Sequence, residues 1–311
     1  MQWLDLTYLQ AIILSVIVAS TPLLLAASGE LVVERAGVLN LGVEGMMIMG
    51  AVCAFAGAEL TGSTLVGTAA GILAGVAMAA IFALLTLGLA VNQVATGLAL
   101  TIFGLGLSGL IGAGFVGQRI TPAPQLDVPV LTDLPFIGKI LFGQDAFVYG
   151  SILLVIGIWW FLYRTRPGLV LRAIGDNHGS AHALGYPVLS LRTGAVLFGG
   201  ACAGLAGAYL SLAYTPFFIA GMTAGRGWIA LALVVFASWR PGRLVIGAYL
   251  FGGVTILQLH AQGAGLGIPP QLMTALPYLA TIIVLVAISR TRGVAGSAAP
   301  ASLGLAFVPD R

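Results

Sequence analysis

The sequence predicts an all-α, polytopic membrane protein with about nine transmembrane helices, two of them short or interrupted, arranged as an inverted repeat. The first observation is composition: of 311 residues, 59% are hydrophobic and only 7% are charged, whereas soluble domains carry about 25% charged residues. The second is spacing, because apolar runs recur at the ~20 residues that cross a ~30 Å hydrocarbon core. The third is a weak similarity between the two halves. This composition excludes a soluble enzyme, a disordered chain and a nucleic-acid-binding protein.

Nine apolar stretches are predicted to span the membrane, separated by polar or Gly/Pro-rich segments. The second and seventh are short and interrupted by glycine, a residue that allows close helix packing in membranes. Both cysteines, Cys53 and Cys202, fall inside apolar stretches, which argues against a disulfide framework or a metal site. The predicted spans are 9–27, 40–58, 65–90, 94–114, 147–163, 193–214, 224–238, 244–260 and 273–289.

The orientation follows from the Lys and Arg residues, which are in excess in the cytoplasmic connections of membrane proteins. Placing the segment 164–192 in the cytoplasm puts ten of the thirteen basic residues on that side. Only Arg119, Lys139 and Arg226 then lie outside. The N-terminus is therefore predicted outside and the C-terminus inside, as an odd number of spans requires.

The chain is predicted to form one transmembrane domain over residues 1–292. Its longest polar connection, 115–146, lies on the outer side and contains four prolines, which deny it a long regular helix. The segment 293–311 is rich in Gly, Ala, Ser and Pro and is predicted to be a disordered C-terminal tail.

The internal similarity joins LGVEGMMIMGAVC at 41–53 to TAGRGWIALALVV at 223–235. At this offset of 182 residues, Gly45 falls on Gly227 and Glu44 falls on Arg226. The same offset carries the first predicted span onto the sixth, the third onto the eighth and the fourth onto the ninth. Inverted repeats with interrupted helices are typical of transporters, whose sites lie near the interruptions. Chance alignment of two glycine-rich helices is the alternative.

The most informative polar stretch is 29–51, where three glutamates, an arginine and an asparagine lie among apolar residues. A carboxylate at mid-bilayer costs ~2.5–3.5 kcal/mol on insertion scales and is retained only with a partner or a role. Asn40 can cap a helix that begins near Leu41, with Glu44 in its first turn. One interpretation is a capped cytoplasmic helix start with an interfacial Glu34–Arg35 pair. The other is a broken helix that lines a translocation path or its inner gate.

Two further groups of residues are candidates for the path and its outer end. The substrate path is predicted to include Asn40, Glu44, Asn92 and Gln93, although the last two could serve only as turn residues. The outer gate, or a contact with a substrate-binding protein, is predicted at Phe217, Phe218, Met222, Thr223 and Arg226. Interfacial aromatic residues are also often simple membrane anchors, which is the alternative for the phenylalanine pair.

The chain carries no motif for ATP hydrolysis, because its only lysine, Lys139, precedes an isoleucine and cannot complete a Walker A loop. An ATP-driven pump built on it therefore needs a separate ATPase. The cytoplasmic segment 164–192 can form two short helices, with Gly185 suited to end the second. The residues predicted to couple the chain to an ATPase are Arg172, Gly175, Asp176, Asn177 and Gly185.

The pattern G-L-x-L-R-A-I-G-D-N-x-x-x-A-x-x-x-G, from Gly168 to Gly185, resembles the coupling loop of ABC importer permeases in the branched-chain amino acid and ribose permease superfamily. The stretch ERAGVLNLGVEGMMIMGA at 34–51 is similar to one branch, the smaller permease of nucleoside and simple-sugar importers. NQVATGLAL at 92–100 and GMTAGRGWIALALVVFASWRP at 221–241 are similar to the same branch. The chain departs from the superfamily pattern at His178-Gly179-Ser180.

The resemblance implies an importer permease, without catalytic residues, metal or cofactor of its own, that spans the bacterial inner membrane many times. It implies a second, non-identical permease, an ATP-binding subunit with two fused nucleotide-binding domains that holds ATP and Mg, and an extracytoplasmic substrate-binding protein. The expected substrate is a nucleoside, with a simple sugar or another small polar solute as the alternative. A gradient-driven secondary transporter and a purely structural membrane protein are the other candidates.

Overall fold

The computed structural model describes residues 6–126, 129, 131–132, 134–263 and 299–308, together with isolated positions between 269 and 286. It confirms the predicted all-α membrane class, because seven helices in this described part are long and apolar enough to span a membrane. In chain order the helices are α1 (Leu6–Arg35), α2 (Val43–Thr61), α3 (Thr64–Ala83), α4 (Gln93–Gly112), α5 (Ile137–Phe142), α6 (Ala146–Arg164), α7 (Arg166–Asp176), α8 (His178–Ala183), α9 (Val188–Tyr209), α10 (Arg226–Phe236) and α11 (Pro241–Gly263).

Eight of the predicted spans correspond to helices, with two differences in length. α10 has only 11 residues and is therefore about 16 Å long, about half the thickness of a membrane core. α1 has 30 residues and continues to Arg35, past the predicted end at residue 27, so that Glu30 and Glu34 belong to its last turns. The predicted ninth span, 273–289, lies largely outside the described residues.

Pro22 lies inside α1. The carbonyl group that its missing N–H leaves unpaired accepts a hydrogen bond from a neighbouring helix instead. A proline within a helix cannot donate to the carbonyl four residues earlier, which here is that of Val18. The hydroxyl of Tyr209, at the end of α9, donates to the Val18 carbonyl at 3.2 Å. An unpaired carbonyl is costly in lipid, so this bond stabilises α1 and ties it to α9.

Glycines set a close helix crossing between α3 and α9. A Cβ atom on Gly75 would lie only 2.1 Å from the carbonyl oxygen of Gly200. The backbones of the two helices are therefore in direct contact, as small residues allow in membrane interfaces. The small-xxx-small patterns Gly71–Gly75 and Gly200–Gly204 are packing surfaces.

The helix contacts follow the predicted inverted repeat. In the repeat, α1 corresponds to α9, α2 to α10 and α3 to α11. α3 packs on α9 and α11 packs on α1, while α2 packs on α9 and α10 packs on α1. These two contacts of one half thus have counterparts in the other half. The long, buried α1 and α9 form the centre of the bundle, and each packs against the helices that follow the other in sequence.

Basic residues gather at one end of the bundle, the end that the sequence assigns to the cytoplasm. Arg35, Arg240 and Arg243 line one cavity of about 540 Å³ there, and Gly175 of α7 packs against the carbonyl oxygen of Arg35. The α7–α8 loop therefore belongs to the same end.

The expected disordered tail is wrong for residues 299–308, which pack against this basic end. The backbone N–H of Ser302 donates to the carbonyl of Gly175 at 2.8 Å, and that of Gly304 donates to the carbonyl of Gly37 at 3.2 Å. The composition of the tail favours disorder when considered alone, but carbonyl groups on two distant segments hold it in place.

Candidate functional site

The segment 36–42, called here the re-entrant segment, turns back into the bundle after α1 without forming a helix. The backbone N–H of Leu39 donates to Oε1 of Gln93 at 2.8 Å, at the first residue of α4. Further along, Oγ1 of Thr101 donates to the carbonyl of Leu41 at 3.0 Å. Thr101 lies eight residues beyond Gln93, or about 12 Å along the helix. The re-entrant segment therefore passes about that far into the bundle.

α2 begins inside the bundle, near the middle of α4. A Cβ atom on Gly45 would lie 2.6 Å from the carbonyl oxygen of Leu100, and one on Gly104 would lie 2.7 Å from the carbonyl oxygen of Gly45. Gly104 is near the centre of α4, which has 20 residues and is about 30 Å long. The first turn of α2 therefore lies at about half the height of a transmembrane helix.

The carboxylate of Glu44, in this first turn of α2, binds the beginning of α10. Its Oε1 accepts hydrogen bonds from the hydroxyl of Thr223 at 2.6 Å and from the backbone N–H of Gly225 at 2.9 Å. Its Oε2 accepts one from the backbone N–H of Gly227 at 2.6 Å. Glu44 is only 3% exposed. The two interrupted helices thus meet end to end through one buried carboxylate.

This arrangement satisfies both helices electrostatically. The first turn of a helix has free N–H groups and the positive end of the helix dipole, both of which favour an anion. Gly225, the residue before α10, adopts a φ of 79° and offers no side-chain cap. Glu44 supplies that cap from α2, while its own position in the first turn of α2 is also favourable. The anion site at the start of α10 is therefore occupied by the protein itself.

Arg226 and Thr223 belong to this junction, and their role in an outer gate stays a prediction. The Arg226 guanidinium donates to the carbonyls of Met222 and Thr223 at 3.0 and 3.3 Å and lies over the ring of Tyr214 at 5.4 Å. Thr223 therefore connects Arg226 to Glu44. The segment before α10 runs back into the bundle from the end of α4 at Gly112 to the Glu44 junction. The pairing of Glu44 with Arg226 in the repeat did identify the right neighbourhood.

The segment that follows the other end of α10 is bound by side chains of α1. The indole N–H of Trp239 donates to Oε2 of Glu34 at 2.5 Å, and the Arg35 guanidinium donates twice to the Trp239 carbonyl, at 2.8 and 3.1 Å. Ser238 and Trp239 both have positive φ, 52° and 55°, an unfavourable conformation for residues with a side chain. Instead of the predicted Glu34–Arg35 pair, both side chains thus form hydrogen bonds with Trp239. Sequence reasoning missed Trp239, which has no local pattern to signal this role.

The amide residues of the predicted substrate path are used by the chain itself. Asn40 has no exposed surface; its Oδ1 accepts from the N–H of Gly42 at 2.9 Å and its backbone N–H donates to Glu30. Asn92 caps α4 through a bond to Ala95. Both side chains therefore shape the local backbone, and their contact with substrate stays a prediction.

Gln93 also binds the re-entrant segment, but one of its hydrogen-bonding groups has no partner. Its side chain is 4% exposed, and its Oε1 is the acceptor for Leu39. Its Nε2 is buried without a hydrogen-bond partner within the described residues. Gln93 therefore lies beside the re-entrant segment, and its Nε2 can still donate a hydrogen bond.

The aromatic pair of the predicted outer gate is divided between two environments. Phe218 is 3% exposed, and its ring fills the space where Gly112, at the end of α4, lacks a side chain. Phe217 and Met222 are partly buried. Phe218 therefore anchors the segment before α10 to the outer end of α4.

The predicted coupling loop consists of α7 and α8, each begun by a side-chain cap. Thr165 caps α7 and Asn177 caps α8, through Oδ1 and the N–H of Ser180 at 2.9 Å. Asp176 and Asn177 are exposed at the corner, as is Gly185, whose φ is 85°.

Two of the predicted coupling residues face the chain itself rather than solvent. A Cβ atom on Gly175 would lie 2.1 Å from the carbonyl oxygen of Arg35. The Arg172 guanidinium lies 4.8 Å from the centre of the Tyr163 ring. Both residues therefore help to fix the loop on the bundle, and their contact with an ATPase stays a prediction.

The amino-acid sequence matches a known family. Residues 12–285 match the family described as the permease component of the branched-chain amino acid transport system. The chain belongs to this permease family. The match includes the two interrupted helices, the re-entrant segment and the α7–α8 loop, and it confirms the resemblance stated from the sequence.

Three relatives of the permease cover its length and are themselves described as ABC transporter permeases. A putative glucose ABC transporter permease of Haloferax volcanii is 45% identical over 89% of this chain and 91% of its own. A nucleoside ABC transporter permease of Lactococcus lactis is 32% identical over 89% and 92%. A guanosine ABC transporter permease of Bacillus subtilis is 33% identical over 88% and 92%.

Proposed function

We propose that the permease forms part of the solute path of an ATP-driven importer for a neutral, hydroxyl-rich solute, a nucleoside or a simple sugar. The observation that carries this proposal is the Glu44 junction. In transporters with interrupted helices, half-helix N-termini often bind an anionic group of the substrate. Here the N-terminus of α10 already holds the carboxylate of Glu44. A solute that needs no such anion site fits this path better than an amino acid with its carboxylate.

The relatives support the same substrate class. Two of the three are named for a nucleoside or for guanosine, and the most identical of the three is named for glucose. These solutes share hydroxyl groups and lack a net charge, and buried neutral donors and acceptors recognise them without an uncompensated charge. The amide of Gln93, with its free Nε2, is the candidate polar group near the inner part of the path.

The permease acts with other subunits. A second, non-identical permease completes the path, and an ATP-binding subunit with two fused nucleotide-binding domains docks against the exposed corner at Asp176, Asn177 and Gly185. An extracytoplasmic protein delivers the solute. ATP and Mg bind to the ATPase subunit, whose closure moves α7 and α8 and switches access to the path. The complex resides in the cell membrane.

Reconstitution of the complete complex in proteoliposomes tests this function. With ATP on the ATPase side, radiolabelled guanosine or glucose should accumulate, and leucine should not. Competition between guanosine and glucose then separates the nucleoside from the sugar, because only the true substrate should suppress uptake at low concentration.

Two results would contradict the proposal. ATP-driven uptake of leucine would contradict the neutral-solute path. Uptake that follows an ion gradient and continues without ATP would instead support a secondary transporter. Purification of the permease without any ATPase or second permease would argue in the same direction.

A further inference from the structure

Arg192, in the first turns of α9, is fully buried and joins three separate parts of the chain. Its exposed fraction is 0%. Its Nε donates to the carbonyl of Ala36 at 3.0 Å, and its Nη1 donates to the carbonyl of Leu305 at 3.2 Å. Its Nη2 lies 3.2 Å from Nδ1 of His178. A buried charge is costly unless its environment compensates it. The guanidinium thus depends on acceptors from the re-entrant segment, the tail and α8.

The third bond fixes the state of His178. Arginine can only donate, so Nδ1 of His178 must be the acceptor and the ring must be neutral. Burial, with a further contribution from the nearby Arg192 charge, lowers the pKa of His178, which favours this neutral form at pH 7. This histidine is the first of the three residues at which the chain departs from the superfamily pattern of the coupling loop.

The tail, residues 299–308, makes its own contacts with the same two segments. The N–H of Ser302 reaches the carbonyl of Gly175 in α7, and the N–H of Gly304 reaches that of Gly37 in the re-entrant segment. The Phe307 ring packs between two histidines of α8, with ring centres 5.1 Å from His178 and 5.3 Å from His182.

These contacts lie on a continuous route from the coupling loop to the mid-membrane junction. α7 and α8 are held to the start of the re-entrant segment, at Ala36 and Gly37, by Arg192 and by the tail. The re-entrant segment is then bound to α4 at Leu39 and Leu41 and leads directly into α2 and Glu44. These ties, together with the packing of Gly175 on Arg35 and Gly37, connect a displacement of α8 to the re-entrant segment.

We propose that Arg192 and residues 299–308 form a clamp that makes the coupling helices and the re-entrant segment move as one unit. Arg192 is a positioning residue in this account, since it touches neither solute nor nucleotide. The proposal rests on the proposed function for its transport consequences, but the mechanical tie can be measured without transport.

Hydrogen–deuterium exchange on the assembled complex tests the tie directly. Deletion of residues 299–311 should accelerate amide exchange in 36–42 and 175–183 by about tenfold or more, because local opening no longer breaks the clamp contacts. The exposed ends of α2 and α3, which the tail does not touch, should keep their rates. Unchanged exchange in both segments would overturn the clamp, whatever the complex transports.

Point variants test the functional consequence with less disturbance of the complex than the deletion causes. Phe307→Ala should lower uptake per ATP hydrolysed about fivefold or more, with little change in the ATPase rate, because the coupling helices move without the re-entrant segment. Phe307→Tyr keeps the ring and should restore coupling. Leu305→Ala is the matched control, because that side chain is 54% exposed and only its backbone carbonyl joins the clamp.

The outcomes separate the clamp from a simple structural role and from the proposed function. An unchanged ratio of uptake to hydrolysis in Phe307→Ala would overturn the clamp, and so would a parallel loss of assembly, hydrolysis and uptake. A wild-type complex that shows the protected amides but no ATP-driven uptake would instead overturn the proposed function and retain the tie.

Discussion

α2 and α10 occupy equivalent positions in the repeat but begin in different ways. α2 begins after a local turn in which Asn40 accepts from Gly42, and its first turn carries an acidic residue, which the helix dipole favours. α10 begins with a basic residue, Arg226, which the dipole disfavours, and lacks a side-chain cap of its own. Glu44 of α2 makes up for both deficits.

This difference shows how two related halves can become mutually dependent. One copy provides the carboxylate and the other provides the N–H donors, so neither helix start is complete alone. α10 is also fixed at its far end by Glu34 and Arg35 through Trp239. The hydrogen bonds at the two ends of this short helix thus come from side chains of α1 and α2. The predictions below challenge these contacts.

The largest effect is expected from Glu44→Ala. The substitution leaves the donors of Thr223, Gly225 and Gly227 without their acceptor, and each buried unpaired group costs ~1–3 kcal/mol. The unfolding free energy of the permease should fall by about 4 kcal/mol in total, and uptake should be almost abolished. Thermal denaturation and uptake measure this. Glu59→Ala, at the exposed end of the same helix, should change neither, and equal effects of the two variants would contradict the junction.

Gly227→Ala should have the next largest effect. A Cβ atom there would lie 2.5 Å from the Cα of Glu44, so the backbones must separate at a cost of about 1–3 kcal/mol. The melting temperature of the complex should fall, and uptake should fall with it. Gly109→Ala is the control, because open space surrounds Gly109 and alanine is favoured over glycine within a helix by roughly 0.5–1 kcal/mol. A stable Gly227→Ala variant would mean that the two helix starts are not in contact.

A smaller effect is expected at the other end of α10, from Trp239→Phe. The buried Glu34 carboxylate loses its indole donor, at a cost of about 1–3 kcal/mol, but Arg35 still holds the backbone carbonyl. Uptake should therefore be reduced less than in Glu44→Ala. Trp160→Phe, at a side chain 58% exposed, is the matched control. A larger defect in Trp239→Phe than in Glu44→Ala would reverse the order of importance of the two ends.

The smallest effect is expected from Arg226→Ala. The partly exposed guanidinium binds two carbonyls and an aromatic ring, contacts whose loss costs about 1 kcal/mol. Complex yield should remain near that of the wild type while uptake falls a few-fold, because the segment before α10 loses its brace. Yield and uptake measured on the same preparation check this. An equal fall in both would make Arg226 a structural residue.

The sequence predicts those parts that depend on local pattern. Apolar runs of membrane length predict most of the helices, and the caps at Thr165 and Asn177 lie where a loop of two short helices needs them. The repeat offset aligns Glu44 with Arg226 and so indicates the junction. It could not indicate the depth of Arg226, because hydropathy does not distinguish an outer loop from a segment that runs back into the bundle.

The remaining errors have long-range causes. The tail has the composition of a disordered segment, but Gly37, Gly175 and Arg192, all more than 100 residues away, supply its partners. Trp239 could be linked to Glu34 only through the fold, since 205 residues separate them.

A double-mutant cycle between Glu44 and Thr223 tests the central claim, that the two interrupted helices are joined by this carboxylate. The unfolding free energies of the wild type, Glu44→Gln, Thr223→Val and the double variant should give a coupling of about 1.5–3 kcal/mol, as expected for a hydrogen bond to a charged group. A parallel cycle with Thr68, whose hydroxyl binds its own helix α3, should give none. Additivity of Glu44 and Thr223 within about 0.5 kcal/mol would contradict the account.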